Sequence, residues 1–148
     1  SEYRSRRQHT GPPEGIPMQG FIDNIETLAT ENTDFRRVLY TGKYLQLVLM
    51  ALKPGEEIGE EVHEDHDQFF RIESGSGEVL IDGKRTPIKD DDAIIVPAGA
   101  RHNVFNTGDA PLTLYTIYGP PDHKDGVIRA TKAEAEAREE HFDGVTTE

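Results

Sequence analysis

The chain contains no cysteine. That excludes a disulfide framework, thiolate metal sites and cysteine nucleophiles, and leaves imidazole and oxygen as the strong metal ligands. Positive charge is scarce: 16 Lys and Arg stand against 28 Asp and Glu, a net charge of −12. Binding a phosphate backbone requires Lys and Arg contacts, so the balance argues against a nucleic-acid partner. The one basic cluster, RSRR (4–7), sits in a polar N-terminal segment. Long apolar runs are missing too, with 34% hydrophobic residues and none of the runs that a membrane span needs. The N-terminus lacks the apolar core of a signal peptide. A soluble, cytoplasmic protein without a membrane partner is expected.

Turn formers are plentiful by contrast. Fourteen glycines and nine prolines in 148 residues point to one domain of short elements rather than long helices. Residues 1–20 read as an extended arm, rich in Pro and Gly. FIDNIETLATEN (21–32) has room for a short strand and a helical turn. From Phe35 the pattern takes on period two. FRRVLYT (35–41) and YLQLVLMALK (44–53) flank a Gly42-Lys43 turn, and the second is apolar on both faces, as a strand covered on both sides would be.

Short strand candidates follow at 60–63, 68–72, 77–81, 84–88, 93–97, 103–106 and 112–118, punctuated by turns such as Asp82-Gly83 and Pro97-Ala98-Gly99. Many short strands with no helix between them predict an all-β sandwich or barrel. Only TKAEAEAREEH (131–141) reads as a helix, capped by Thr131. It lacks an apolar stripe and is expected to be a solvated tail.

Two segments carry chemistry: GEEIGEEVHEDHDQFFRIESGSG (55–77) and DDAIIVPAGARHNVFN (91–106). They resemble the two motifs of the cupin superfamily. In the second, Pro97, Gly99, His102 and Asn106 stand at the family spacing, with Asp91 in place of the leading glycine. In the first, Gln68, Phe70 and Gly75 occupy the places of the family's Glu-x-Phe and following glycine, and Glu61 and His63 those of its paired histidines. The resemblance implies a single-domain cupin: a double-stranded β-helix or jelly-roll barrel over 21–122, with an extended arm at 1–20 and a C-terminal helical tail at 123–148. It implies one divalent metal ion (Zn, Mn, Fe, Ni or Cu) held by Glu61, His63, Gln68 and His102, and a homodimer.

The residue pattern is compatible with that set. Glu61 and His63 are two apart, so on a strand they share a face. Gln68 opens the next strand, either as a ligand or as a hydrogen-bonding neighbour of one. His102 joins them only if the sheet closes into a barrel. His66 is an alternative to Glu61, or an exposed turn residue. His123 in GPPDHKDG (119–126) either closes over the pocket or is an ordinary loop residue, and His9 and His141 lie in the polar ends. Arg71 and Arg101 are candidates to hold an anionic substrate group, although Arg101, next to His102, should face away. Phe69, Phe70, Phe105 and Tyr115 could line the pocket or fill the core.

DQFFRIE (67–73), VPAGARHNVFN (96–106) and LYTIYGPP (114–121) most resemble small cupins of the mannose-6-phosphate isomerase-like kind. That likeness implies a metal-dependent isomerase acting on a small sugar, sugar phosphate or acid, with Glu61 as catalytic base where it is not bound to metal. Two histidines and a carboxylate equally suit a metal-dependent dioxygenase or decarboxylase, and a non-catalytic small-molecule binder is a third reading.

Overall fold

The structure is a computed structural model, described here for residues 15–148. It is built on two antiparallel sheets. The larger has the order β10-β1-β2-β9-β4-β7, comprising β1 (Arg36–Thr41), β2 (Gln46–Leu52), β4 (Asp67–Ser74), β7 (Ala93–Val96), β9 (Leu112–Gly119) and β10 (Ile128–Arg129). The smaller has the order β3-β8-β5-β6, from β3 (Glu61–Val62), β5 (Ser76–Ile81), β6 (Lys84–Lys89) and β8 (Arg101–Phe105). Every strand candidate from Phe35 onward is present, whereas the short strand expected within 21–32 is not: that segment holds only a helix. The larger sheet also takes in Ile128–Arg129, beyond the 21–122 span expected for the barrel, by pairing β10 with β1. Residues 1–14 of the expected arm, and His9 with them, lie outside the described residues.

Alternation along each strand builds the core. Val48, Met50 and Leu52 of β2, Phe70 and Ile72 of β4, and Leu112 and Leu114 of β9 are all buried between the sheets. Each such side chain contributes about 1.5–3 kcal/mol on leaving water. The outward face of β2 is covered as its composition predicts. Helix α1 (Ile25–Glu31) contacts β2, β4 and β9, and Leu49 on that face is only 2% exposed. Asn24 caps α1 by accepting a hydrogen bond from Thr27 N at 2.9 Å.

Turn chemistry sets the register. Asp82 and Gly83 both have positive φ, as a two-residue hairpin of this twist requires. Asp91, standing where the family motif has glycine, also adopts a left-handed φ of 73°, which explains the glycine and its replacement by a residue that tolerates that region. A Cβ on Gly77 would lie 2.1 Å from Phe105 O, so the β5–β8 contact admits only glycine there. Asn106 serves the loops: its amide donates to Leu52 O and Ala110 O, and its oxygen accepts from Gly108 N.

Helix α2 (Lys132–Ala137) is shorter than the expected 131–141 and is capped by Thr131, which accepts from Glu134 N. Among the described residues no helix is long and apolar enough to cross a membrane.

Candidate metal centre

Strand pairing delivers the expected donors to one place. Glu61 on β3 lies opposite His102 on β8, and cross-strand partners share a face. His63, two residues further, continues that face. One ligand atom from each of Glu61, His63 and His102 falls within 4.8 Å of the others. The two imidazole centroids are 5.3 Å apart.

The Pro97-Ala98-Gly99 turn is what holds His102 there. Gly99 N donates to His63 O at 2.8 Å, and Ala98 N donates to Asp67 Oδ1 at 2.9 Å. The turn continues into Ala100, whose carbonyl oxygen lies 3.1 Å from His102 Nδ1. With the Nδ1 proton directed at that carbonyl, Nε2 is the nitrogen left with a free lone pair.

Gln68 comes from the opposite sheet. It is 3% exposed, and its register partners are Val96 on β7 and Tyr118 on β9. Its Nε2 donates to Thr116 Oγ1 at 2.9 Å, while its Oε1 is buried without a hydrogen-bond partner among the described residues. His63 Nε2 lies 2.7 Å from Glu61 Oε2 but lacks hydrogen-bond geometry there. Orphaned buried polar atoms are rare in folded proteins. The carboxylate and two imidazoles, with unsatisfied buried atoms on His63 and Gln68, make a cluster that fits a divalent cation.

Electrostatics favours the charged form of both members of the Glu61–His63 contact. Burial pushes the Glu61 carboxyl up, but the contact with His63 and the charges of His63, Arg36 and His102 outweigh it, and the net direction is down. His63 is raised by the Glu61 carboxylate, against the effect of its own burial.

Next to the donors runs a polar chain that sequence reasoning missed. Tyr118, 3% exposed, packs edge-on against His63 with centroids 5.9 Å apart. Its hydroxyl is 3.1 Å from His123 Nε2, and His123 Nδ1 is 3.1 Å from Glu140 Oε1. Burial drives the Tyr118 phenol well above its ordinary value. Gln46, at the start of β2 and fully buried, holds the 122–123 backbone in place: its Oε1 accepts from Asp122 N and His123 N, and its Nε2 donates to His123 O at 2.7 Å.

Beyond Glu61 and His63 opens a cavity of about 370 Å³, walled further by Arg36, Asp122, His123 and residues 132–141. That size suits a small-molecule site.

Several expectations need correction. His123 is no ordinary loop residue but is 6% exposed, because Gln46 ties its backbone to β2. His66 is not an exposed turn residue: its ring stacks on His63 at 5.4 Å and its Nε2 lies 3.1 Å from Asp122 Oδ1. The C-terminal helix is not simply solvated, since Ala135 is buried and, with His141, lines the cavity. Arg71 pairs with Asp91, and Arg101 with Glu60 on the surface; neither lines the cavity, and Arg36 does. Phe69 and Tyr115 pair with each other at 6.2 Å, on the face opposite Phe70 and Tyr118. The signal for Arg36 and Tyr118 was the alternation of their strands.

The Cupin domain family matches residues 48–118. The uncharacterized protein YrkC of Bacillus subtilis is 47% identical over 126 residues, covering 81% of this chain and 68% of that protein. The uncharacterized protein L612 of Acanthamoeba polyphaga mimivirus is 40% identical over 115 residues, covering 74% of this chain and 71% of that protein. Among solved structures, BH2720 from Bacillus halodurans is 45% identical and superposes with a TM-score of 0.80, over 81% of this chain and 96% of that one. With Glu61, His63 and His102 of the two motifs brought together in a two-sheet fold, and with these relatives, the chain belongs to the cupin family.

Proposed function

We propose that the chain is a metal-dependent enzyme of isomerase type, acting on a small polyhydroxy carbonyl compound. Glu61, His63, Gln68 and His102 hold one divalent cation. The observation that carries the reading is the convergence of Glu61, His63 and His102, with unsatisfied buried atoms on His63 and Gln68, beside the Tyr118–His123–Glu140 chain. When bound, the cation acts as a Lewis acid on a carbonyl and its neighbouring hydroxyl.

The protein's own groups handle the proton. Glu61, held in its ionised form, suits a ligand better than a shuttle. His123, with Nδ1–H donating to Glu140, accepts from the Tyr118 hydroxyl at Nε2, so Tyr118 takes a proton from substrate as it passes its own to His123, and the reverse transfer delivers the proton to the product and restores both groups.

Elemental analysis of untagged protein tests the centre: about one zinc or manganese per chain is expected, and none in His102→Ala. Turnover in D2O should place deuterium on the carbon beside the carbonyl and consume no oxygen. Glu61, His63 and His102 alone would also form a two-histidine, one-carboxylate set of the oxygenase kind. Stoichiometric iron or copper with oxygen uptake would establish that second reading instead, and protein that binds sugars or acids without any metal would be a binder.

A further inference from the structure

Among the described residues Arg36 is the one arginine that lines the cavity, and its guanidinium is short of hydrogen-bond acceptors. The residue is 9% exposed. Its Nε is buried with no hydrogen-bond partner among the described residues. Its contact with Glu140 Oε1, at 3.6 Å, is longer than a hydrogen bond. Phe35 supplies only a ring face, 5.6 Å from the guanidinium carbon.

The neighbouring arginine shows what satisfaction looks like. Arg129, paired with Arg36 across β1 and β10, donates to Arg138 O, to Ile128 O and to Glu140 Oε2. Glu140 is hydrogen-bonded by Arg129 and His123 Nδ1, and it balances Arg36 by charge without accepting a hydrogen bond from it. A buried guanidinium keeps its full charge and five N–H donors, so leaving it without acceptors is costly. What enters the cavity can supply the missing acceptor.

We infer that Arg36 binds a carboxylate of the substrate, so that the site takes small polyhydroxy monocarboxylates, sugar acids or hydroxy acids. The inference rests on the cavity being the substrate site of the proposed function. A planar carboxylate matches the guanidinium fork with two parallel hydrogen bonds and balances its single charge. A phosphate monoester carries nearly two negative charges. The same cavity is lined by Asp122, Glu136, Glu139 and Glu140, and Lys132, the other cation there, already pairs with Glu136 at 3.8 Å. No cationic side chain is left for a second negative charge, and four carboxylates line the wall around it, so phosphates are the poorer ligands.

Calorimetric titration with matched compounds tests this: glycolate against ethylene glycol, D-glycerate against glycerol and glycerol 3-phosphate, D-glucuronate against D-glucose and glucose 6-phosphate. Each is titrated into metal-free protein and into protein loaded with Mn²⁺. At least one acid should bind the wild type about 10- to 100-fold more tightly than its neutral counterpart and more tightly than its phosphate. Arg36→Gln should erase that preference while leaving Mn²⁺ affinity unchanged, and Arg36→Lys should keep part of it. In the wild type the Arg36 Nε–H resonance should shift when the acid is added, a readout that requires no variant to fold. No acid preference, a phosphate preferred over the acid, or an Arg36 resonance indifferent to the acid overturns the inference. Failure of the metal reading looks different: Mn²⁺ does not bind, while the acid preference persists in the metal-free protein.

Discussion

At the scale of single residues, the donors' protonation decides when the centre can load. A cation needs Glu61 ionised and His63 neutral. Glu61 sits below its ordinary value of 4.5 and is ionised throughout the neutral range, whereas His63 sits above its ordinary 6.5 and keeps its proton longer than a free imidazole. Metal affinity should therefore climb with pH, by up to about tenfold per unit, until His63 deprotonates at its raised value. Competitive Zn²⁺ titrations across the neutral range check this, and a flat profile contradicts it. The metal-free protein behaves in the opposite sense on the basic side. Stability from a raised histidine is present below 6.5 and lost as pH rises through the folded value; stability from a lowered carboxyl is present above 4.5 and lost as pH falls through its folded value. The pair thus stabilises the metal-free chain most between those two ordinary values. Glu61, His63 and His102 were legible as neighbours because motif spacing and the Pro97–Gly99 turn set the face each one takes, although His102 meets the other two only through β3–β8 pairing. For Arg36 and Tyr118 alternation gives the face of the strand but not the distant elements beside it, and for His123 the sequence leaves a pocket and a loop position both open, which the bonds from Gln46 to the 122–123 backbone decide.

At the scale of elements, α2 and the residues after it show how a polar segment becomes a wall. Hydrophobic periodicity finds no stripe in KAEAEA, and only Ala135 is buried there. What holds the segment is Glu140, 8% exposed, between His123, Arg129 and Arg36. Periodicity cannot register an anchor made of charge, which is why the sequence pointed to a solvated tail. Burial raises the Glu140 carboxyl, but the His123 hydrogen bond and the charges of His123, Arg36 and Arg129 bring it below its ordinary 4.5. Its contribution is present above that value and lost as pH falls through the lowered one. Glu140→Gln removes the charge and leaves two arginines facing a neutral amide, at an expected cost of about 2–3 kcal/mol, since hydrogen bonds to charged groups contribute about that much. Hydrogen exchange should show residues 132–141 opening before the barrel strands, in the variant at neutral pH and in the wild type in acid. Unchanged protection of that segment in Glu140→Gln would leave it anchored by something else.

At the scale of the molecule, the two sheets were legible in advance because period-two alternation and turn residues such as Asp82-Gly83 specify strands and hairpins within a few residues. What alternation leaves open is how tightly the sheets are coupled at the site. Glu61, His63 and His102 belong to or adjoin the four-stranded sheet, while Gln68 belongs to the six-stranded one. A cation bound by all four joins the sheets at a point where the apolar core gives way to unsatisfied polar atoms. The unfolded chain cannot present these donors together, so binding stabilises only the folded state, by about 2.7 kcal/mol at free metal a hundredfold above Kd. For a domain of this length that is a rise in Tm of about 5–15 °C. Scanning calorimetry with added Zn²⁺ or Mn²⁺ and with EDTA should show the difference in the wild type, and His102→Ala should melt at one temperature in both. Gln68→Leu separates the sheets' contributions: if the amide oxygen ligates, the variant keeps the metal-free Tm to within a few degrees but loses much of the metal-induced rise. A full rise in Gln68→Leu would confine the cation to the four-stranded sheet and make Gln68 a hydrogen-bonding neighbour of Thr116.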